Sequence, residues 1–254
     1  MAPAATTLAT APLATAPVAT APLAAALLLG AATLLPQAAL AAESATIVEI
    51  LDGNEIYINQ KQARVKARAS VPEVVSTRDS RGQLAFSSGA GGRLNRFSML
   101  RLGSSCFLVE RGQILVSGKQ NGCTRSARLS VRGTNYVVAV QEDGTSEISV
   151  LEGSVEVEPL RDGEPTGAPA TTVEAGNRLR LSPVGVVLSL LRLSASDYTS
   201  LLNGPLFSGF TTQLPGFRSL ESYIRSSVPG VTLPVTPRPP AGPALPSIPR
   251  FGLF

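Results

Sequence analysis

From Thr46 to Leu181 apolar and polar residues alternate with period two, and turn residues interrupt the alternation at short intervals. That pattern predicts short, half-buried β-strands. Thr46–Leu51 runs into Asp52-Gly53-Asn54, and in the following Glu55–Asn59 the side chains of Ile56 and Ile58 share a face. Gly82–Phe86 leads to the glycine-rich loop Ser87–Gly92, and Ser98–Leu102 places Leu100 and Leu102 together. The clearest stretch is Asn135–Pro159. Tyr136, Val138 and Val140 alternate with Val137 and Ala139, Asp143-Gly144 turns, and Ile148 and Val150 resume the pattern. Glu152-Gly153 turns again, Val155 and Val157 follow, and the strand around Leu179 closes the series. Val138, Val140, Ile148 and Val150 are expected inside, and Thr145 in a solvated turn. The fold expected is all-β: an antiparallel sandwich, jelly-roll-like, or a β-roll.

After Pro183 the pattern changes. Ser194–Gly204 reads as a short helix, with Ser194 or Ser196 as N-cap, Asp197 in its first turn and Asn203-Gly204 as its stop. Ser219–Ser227 offers a second. Phe207, Phe210, Phe217 and Tyr223 are expected to dock this arm on the β body; a partner-binding patch is the alternative. Past Pro229 the proline-rich tail buries too little apolar surface to order itself.

The first 42 residues carry no charge. They start with a five-residue repeat too short to build a packed unit. Leu23–Leu35 is an apolar run suited to a signal-peptide core, and Ala39-Leu40-Ala41 supplies small residues for cleavage between Ala41 and Ala42. The usual basic residue before the run is missing, which leaves a retained anchor or a buried apolar segment as alternatives. The divisions expected are a signal peptide with its low-complexity start over 1–41, a β domain over 42–182, a short-helix aromatic arm over 183–228, and a disordered tail over 229–254.

Composition narrows the chemistry. The 254 residues include no His and no Trp. Nucleophile systems that need an imidazole are therefore excluded, as are zinc sites of four Cys or His ligands within one chain. The net charge is +4, but five arginines against two acids beyond Leu181 supply most of it, so the body is near neutral. That argues against a nucleic-acid-binding core. No Ser sits three residues before Lys61, Lys66 or Lys119, which removes Ser-Lys catalysis. Glu142-Asp143 and Glu152 read as turn chemistry rather than acid–base pairs. Asp52–Glu55 lacks the pattern of a calcium loop. Gly89, Gly91 and Gly92 suit a hairpin loop better than a phosphate loop. Arg125, Arg128 and Arg132 flank one strand entry, at spacings that do not put all three on one face. No catalytic residue, metal ligand or cofactor is expected.

The only cysteines are Cys106 and Cys123. Their spacing is far from C-x-x-C and metal ligands are lacking, leaving a disulfide or two buried thiols. An exported chain with an even cysteine count favours the bridge. Phe107–Glu110 and Gln113–Ser117 read as a hairpin about Arg111-Gly112, which places Cys106 near Ser117. In a flat meander Cys123 then lies two strand spacings away, about 10 Å, beyond the reach of a disulfide. The bridge therefore requires Gly118–Gly122 to curl back, or the chain to roll from one sheet to the other.

The motifs in this body, taken in order, resemble the FecR domain family. They are Ser80–Leu102, then Val109–Ser117, then Val131–Val157 with Gly133-Thr134, Asp143-Gly144 and Val150–Gly153, and last Ala175–Leu181. The resemblance covers about residues 66–181. It implies an exported, mostly β domain, which in the best-known members is the periplasmic part of a transmembrane regulator acting on a sigma factor. No cytosolic anti-sigma region is evident here before the apolar run. The cysteines are not part of the family pattern. The function expected is a non-catalytic interaction module, periplasmic or extracellular, binding an envelope protein or glycan and no nucleic acid, with no stable membrane span after cleavage. The alternatives are a periplasmic sensor or regulator subunit and an envelope enzyme. The oligomeric state is left open.

Overall fold

A computed structural model describes residues 43–233, which lie within one unit, Ala41–Phe254. The expected cleavage site at Ala41-Ala42 and the tail beyond Leu233 fall outside the described residues. The chain winds between two facing sheets. Ser44–Leu51 (β1) lies in the first, Ile56–Ile58 (β2) and Lys61–Gln62 (β3) in the second, and Arg68–Ser70 (β4) in the first. Val74–Thr77 (β5) is in the second sheet, Arg81–Phe86 (β6) and Gly91–Leu94 (β7) in the first, and Met99–Arg101 (β8) in the second. Phe107–Gly118 (β9) belongs to both. Gly122–Cys123 (β10) and Ala127–Val131 (β11) return to the second, Thr134–Val140 (β12) and Ser146–Glu152 (β13) to the first. Ser154–Arg161 (β14) lies in the second sheet and carries the small hairpin strand Glu164–Pro165 (β15). Thr171–Glu174 (β16) joins the second sheet; Asn177–Leu181 (β17) and Val187–Arg192 (β18) end the first.

The first sheet runs β4-β1-β6-β7-β9-β12-β13-β17-β18. The second runs β3-β2-β5-β8-β9-β10-β11-β14-β16, with β9–β10 its one parallel pair among the described residues. The all-β expectation holds. Ile47, Ile56, Leu84, Leu100, Ile114, Val138, Ile148, Val150, Val155 and Leu179 fill the space between the sheets, where Phe86 and Phe107 stack with centroids 5.4 Å apart. Val140 is partly buried against this core. Thr145 corrects the turn reading. It is buried, and its N–H and hydroxyl donate to the Asp143 carboxylate.

Two further expectations fail. Arg111-Gly112 is no hairpin: β9 passes straight through it, from β8 in the second sheet to β7 and β12 in the first. Gly112 has φ +80°, and a Cβ there would meet Ser98 Oγ at 2.5 Å, so the crossing needs glycine. Cys106 therefore lies at the opposite end of β9 from Ser117. The strand series also runs past the expected boundary at 182, because β18 pairs with β17 from Asn177↔Arg192 to Leu181↔Val187.

The arm follows. Ala195–Leu202 (α1) starts at Ser194, which forms a capping box with Asp197 and ends at Asn203. The second helix, Phe217–Ser227 (α2), buries Phe217, Leu220 and Ile224. These residues, with Leu193, Tyr198, Leu206, Phe207 and Leu214, cover Leu115, Val137 and Leu151 on the outer face of the first sheet. Each such side chain, if fully buried, contributes roughly 1.5–3 kcal/mol.

Polar clamps tie down the loop between the helices. Arg93, 2% exposed, donates to Gln83 Oε1 at 2.8 Å, to Leu206 O at 3.1 Å and to Thr212 O at 2.9 Å. Arg81 pairs with Asp52 at 2.6 Å and donates to the carbonyls of Pro205 and Ser208. Glu49 accepts from the N–H groups of Thr211 and Thr212, both at 2.8 Å. Gly91 lies where Pro215 crosses the sheet; a Cβ there would stand 2.9 Å from the proline ring.

Candidate functional site

The two cysteines form a disulfide, with Cα atoms 5.9 Å apart. Both routes named from the sequence are used. The chain rolls between sheets at Gly112, and Gly118–Gly122 then curls back, so that β10 runs parallel to the first half of β9 with Cys123 beside Leu108. Three contacts hold that return. The buried Tyr136 hydroxyl donates to Gln120 O at 2.6 Å, Val131 N–H donates to Asn121 Oδ1 at 3.0 Å, and Gly122 leaves room for the Phe107 ring, which a Cβ would meet at 3.0 Å. Burial, then the nearby Glu43 charge, holds the Tyr136 phenol well above its ordinary pKa, so it remains a donor.

Beside the disulfide opens a cleft of about 620 Å³. Its floor is apolar, from Leu108, Leu160 and the cystine; its rim carries Arg101, Arg125 and Arg128. The Gly103–Cys106 turn forms one wall. Gly103 is required there, since a Cβ would stand 2.5 Å from Cys106 O. The opposite wall is the Asp162-Gly163 turn, whose Gly163 N–H donates to Arg125 O at 3.2 Å. Arg101 is paired with Glu110 at 2.8 Å and Arg128 with Glu158 at 2.7 Å. Arg125 is exposed and makes no ion pair among the described residues. On the far side of the Ser104-Ser105 turn a second hollow, of about 440 Å³, is lined by Glu43, Lys119 and Gln120. The lining of the cleft beside the disulfide also includes Asp162, so with Arg101 and Arg128 paired the cation left to meet a partner's anionic group beside the apolar floor is Arg125.

The other residues marked in the sequence go elsewhere. Of the three arginines at the strand entry, Arg132 is not in the cleft. Glu142 and Asp143 lie in the β12–β13 turn, where hydrogen bonds from the Thr145 backbone and side chain hold the Asp143 carboxyl below the ordinary range. Glu152 accepts from Asn135 and Ser219 and fastens α2 to the sheet. Asp52 serves the Arg81 clamp. Among the described residues no group of three or more His, Cys, Asp or Glu is placed to hold a metal ion, and no helix is long and apolar enough to cross a membrane. Arg101 and the Ser104-Ser105 turn were not read from the sequence as parts of a site. The signal is the cysteine itself: whatever flanks Cys106 must lie beside whatever flanks Cys123.

No family model and no curated protein matches the sequence. Two solved structures are similar to it, each described as a crystal structure of a putative anti-sigma factor from Parabacteroides distasonis. One is 23% identical at a TM-score of 0.41, covering 52% of this chain and 65% of its own. The other is 20% identical at the same TM-score, covering 60% of this chain and 73% of its own.

Proposed function

We propose that this chain is an exported, non-catalytic FecR-like interaction module of the periplasm or cell envelope, and that its partner binds at the cleft beside the Cys106–Cys123 disulfide. The observation that carries the reading is Arg125: an exposed cation at the rim of an apolar-floored cleft, with no carboxylate answering it among the described residues. Glu49, Arg81, Arg93 and Glu152 are occupied in fastening the arm, which supports a structural role for them rather than a chemical one. The disulfide supports an oxidising compartment. The partner class is an envelope protein or glycan that presents anionic groups.

The test is site-specific photo-crosslinking in the native envelope, with the reactive group at Ser104 in the cleft wall and, as control, at Ser226 on α2. A discrete adduct from Ser104 that disappears in Arg125→Glu and is absent from Ser226 is the expected result. Equal labelling from both positions, or an adduct indifferent to Arg125→Glu, overturns the reading. Turnover of an envelope substrate by the purified chain would overturn its non-catalytic part.

A further inference from the structure

The chain has four sheet edges among its described residues, and three are blunted. At one end of the first sheet β4 is three residues long, and Arg68 reaches from it to Ser44 Oγ at 2.7 Å. At the ends of the second, β3 is the exposed dipeptide Lys61-Gln62 and β16 carries Thr171, Thr172 and Glu174. Short, charged or polar edges of this kind prevent unwanted pairing.

The fourth edge is different. β18, Val187–Arg192, exposes Val187, Leu188, Leu190 and Leu191 by 43–59%, and Val184 and Val186 before it are exposed by 47% and 54%. Its partner β17 covers one side of its backbone and nothing among the described residues covers the other. The strand is nonetheless held at both ends. Ser182 N–H donates to Val186 O at 2.8 Å and Val186 N–H to Ser182 Oγ at 3.0 Å, while the buried Leu193 donates its N–H to Gly176 O at 2.7 Å. It is a preformed template for another strand.

We propose that β18 is a dimerisation edge, where two copies of this chain pair Val187–Arg192 antiparallel about a two-fold axis and continue the first sheet from one copy into the other. Three observations favour a second copy as the occupant. Pairing along the edge answers the free backbone groups of β18 and sets Val187, Leu188, Leu190 and Leu191 of one copy beside the same apolar residues of the other, on both faces of the joined sheet. The surface is apolar along its length, so it is complementary to itself. Its one charge, Arg192, is terminal, and antiparallel pairing sends the two Arg192 side chains to opposite ends. The two-fold closes the assembly and leaves no β18 edge free to propagate.

The test is the oligomeric state of the full chain by light scattering and sedimentation between about 1 and 100 µM, beside Leu190→Lys and Leu191→Lys, each checked for native circular dichroism and melting. The result expected is a dimer whose dissociation constant rises more than about tenfold in both variants, with the β18 amides that face away from β17 protected from exchange only at dimer-forming concentrations. Both positions are exposed, and a variant that failed to fold would leave the other variant and the amide readout. A monomer throughout the range overturns the proposal, as does a dimer that both lysines leave intact. A monomer that dimerises only when the chain is cut after Leu233 also overturns it, by assigning the edge to the chain's own C-terminal segment.

Discussion

The Arg93 guanidinium carbon lies 4.3 Å from the centre of the Phe210 ring. Arg81 approaches the same ring at 5.5 Å, so one aromatic side chain of the arm is gripped by two cations of the sheet. Burial pushes the Arg93 pKa down to about 10, which still leaves it cationic at neutral pH. A buried charge of this kind is tolerated because Gln83, Leu206 O, Thr212 O and the ring face all receive it.

Removing the cation should therefore be costly. Arg93→Met leaves two arm carbonyls unanswered and is expected to destabilise by about 3 kcal/mol. Phe210→Ala is expected to cost a similar amount, about 3 kcal/mol, through the cavity it opens. Phe210→Leu keeps most of the volume and should cost about 1 kcal/mol. Arg93→Lys should not restore stability, because one ammonium cannot reach three divergent acceptors. Denaturant unfolding measures all four; an Arg93→Lys chain as stable as the parent contradicts the clamp.

The arm should loosen first in acid. Hydrogen bonding to Arg81, reinforced by the Arg81 and Arg96 charges, holds the Asp52 carboxyl below its ordinary range. For Glu49, burial pushes upward but is outweighed by hydrogen bonds from Thr211 and Thr212, and the net direction is again down. A carboxylate depressed by folding contributes stability that is present above its unfolded pKa, near 4, and lost as the pH falls through the folded value. Glu43 moves the other way, raised by burial against its Gln120 hydrogen bond, so its contribution is lost as the pH rises through its folded value. Glu43 is not one of the arm's clamps. Amide exchange should show Leu206–Thr212 losing protection below about pH 4 before β12 and β13 do. Simultaneous loss would mean that the clamp carboxylates do not hold the arm.

The disulfide fastens a return that other contacts already shape, so its removal should weaken the fold without redirecting it. Closing a loop of this length is worth about 3 kcal/mol in the chain-entropy model. The double variant Cys106→Ser, Cys123→Ser should lose about that much stability and keep its β circular dichroism. Tyr136→Phe leaves Gln120 O without its buried donor and should cost about 1–2 kcal/mol by itself. Thiol labelling of unreduced chain isolated from the envelope should find no free cysteine; two labelled thiols would refute the bridge and the compartment argued from it.

How far the sequence was legible follows from what period-two alternation reports. It names the two faces of a strand, and it placed Val138, Ile148 and Val150 in the core correctly. It does not say what covers the other face. Gly91 and Gly92 read as part of a hairpin loop, yet they open β7, whose Arg93 lies beneath the arm. Thr145 reads as an exposed turn residue, yet it closes on Asp143. Arg111-Gly112 looks like punctuation, whereas Gly112 supplies a left-handed conformation within a strand that changes sheets. β18 was missed because Val187–Leu191 lacks alternation, which fits its exposed apolar side chains. The Cys106–Cys123 cleft was legible only through the cysteines, since Arg101 and Arg125 meet by topology and not by spacing.

The same reasoning about covered faces predicts where the chain can be cut. A chain ending at Leu233 keeps Val231 and Leu233, which pack against the arm cluster, and should melt like the full chain. A chain ending at Arg192 keeps every strand, including β18, but removes α1, the Phe210 clamp and α2. Leu115, Val137 and Leu151 are then bared on the outer face, while Arg93 loses two of its acceptors. Three apolar side chains at roughly 2 kcal/mol each make the expected loss several kcal/mol, comparable with the whole stability of many domains. The shorter chain should accordingly aggregate or melt far lower, and added arm peptide spanning Leu193–Leu233 should partly restore it. Equal melting of the two truncated chains would show that the outer face tolerates water, and that the arm is a separate recognition element rather than the cover of the first sheet.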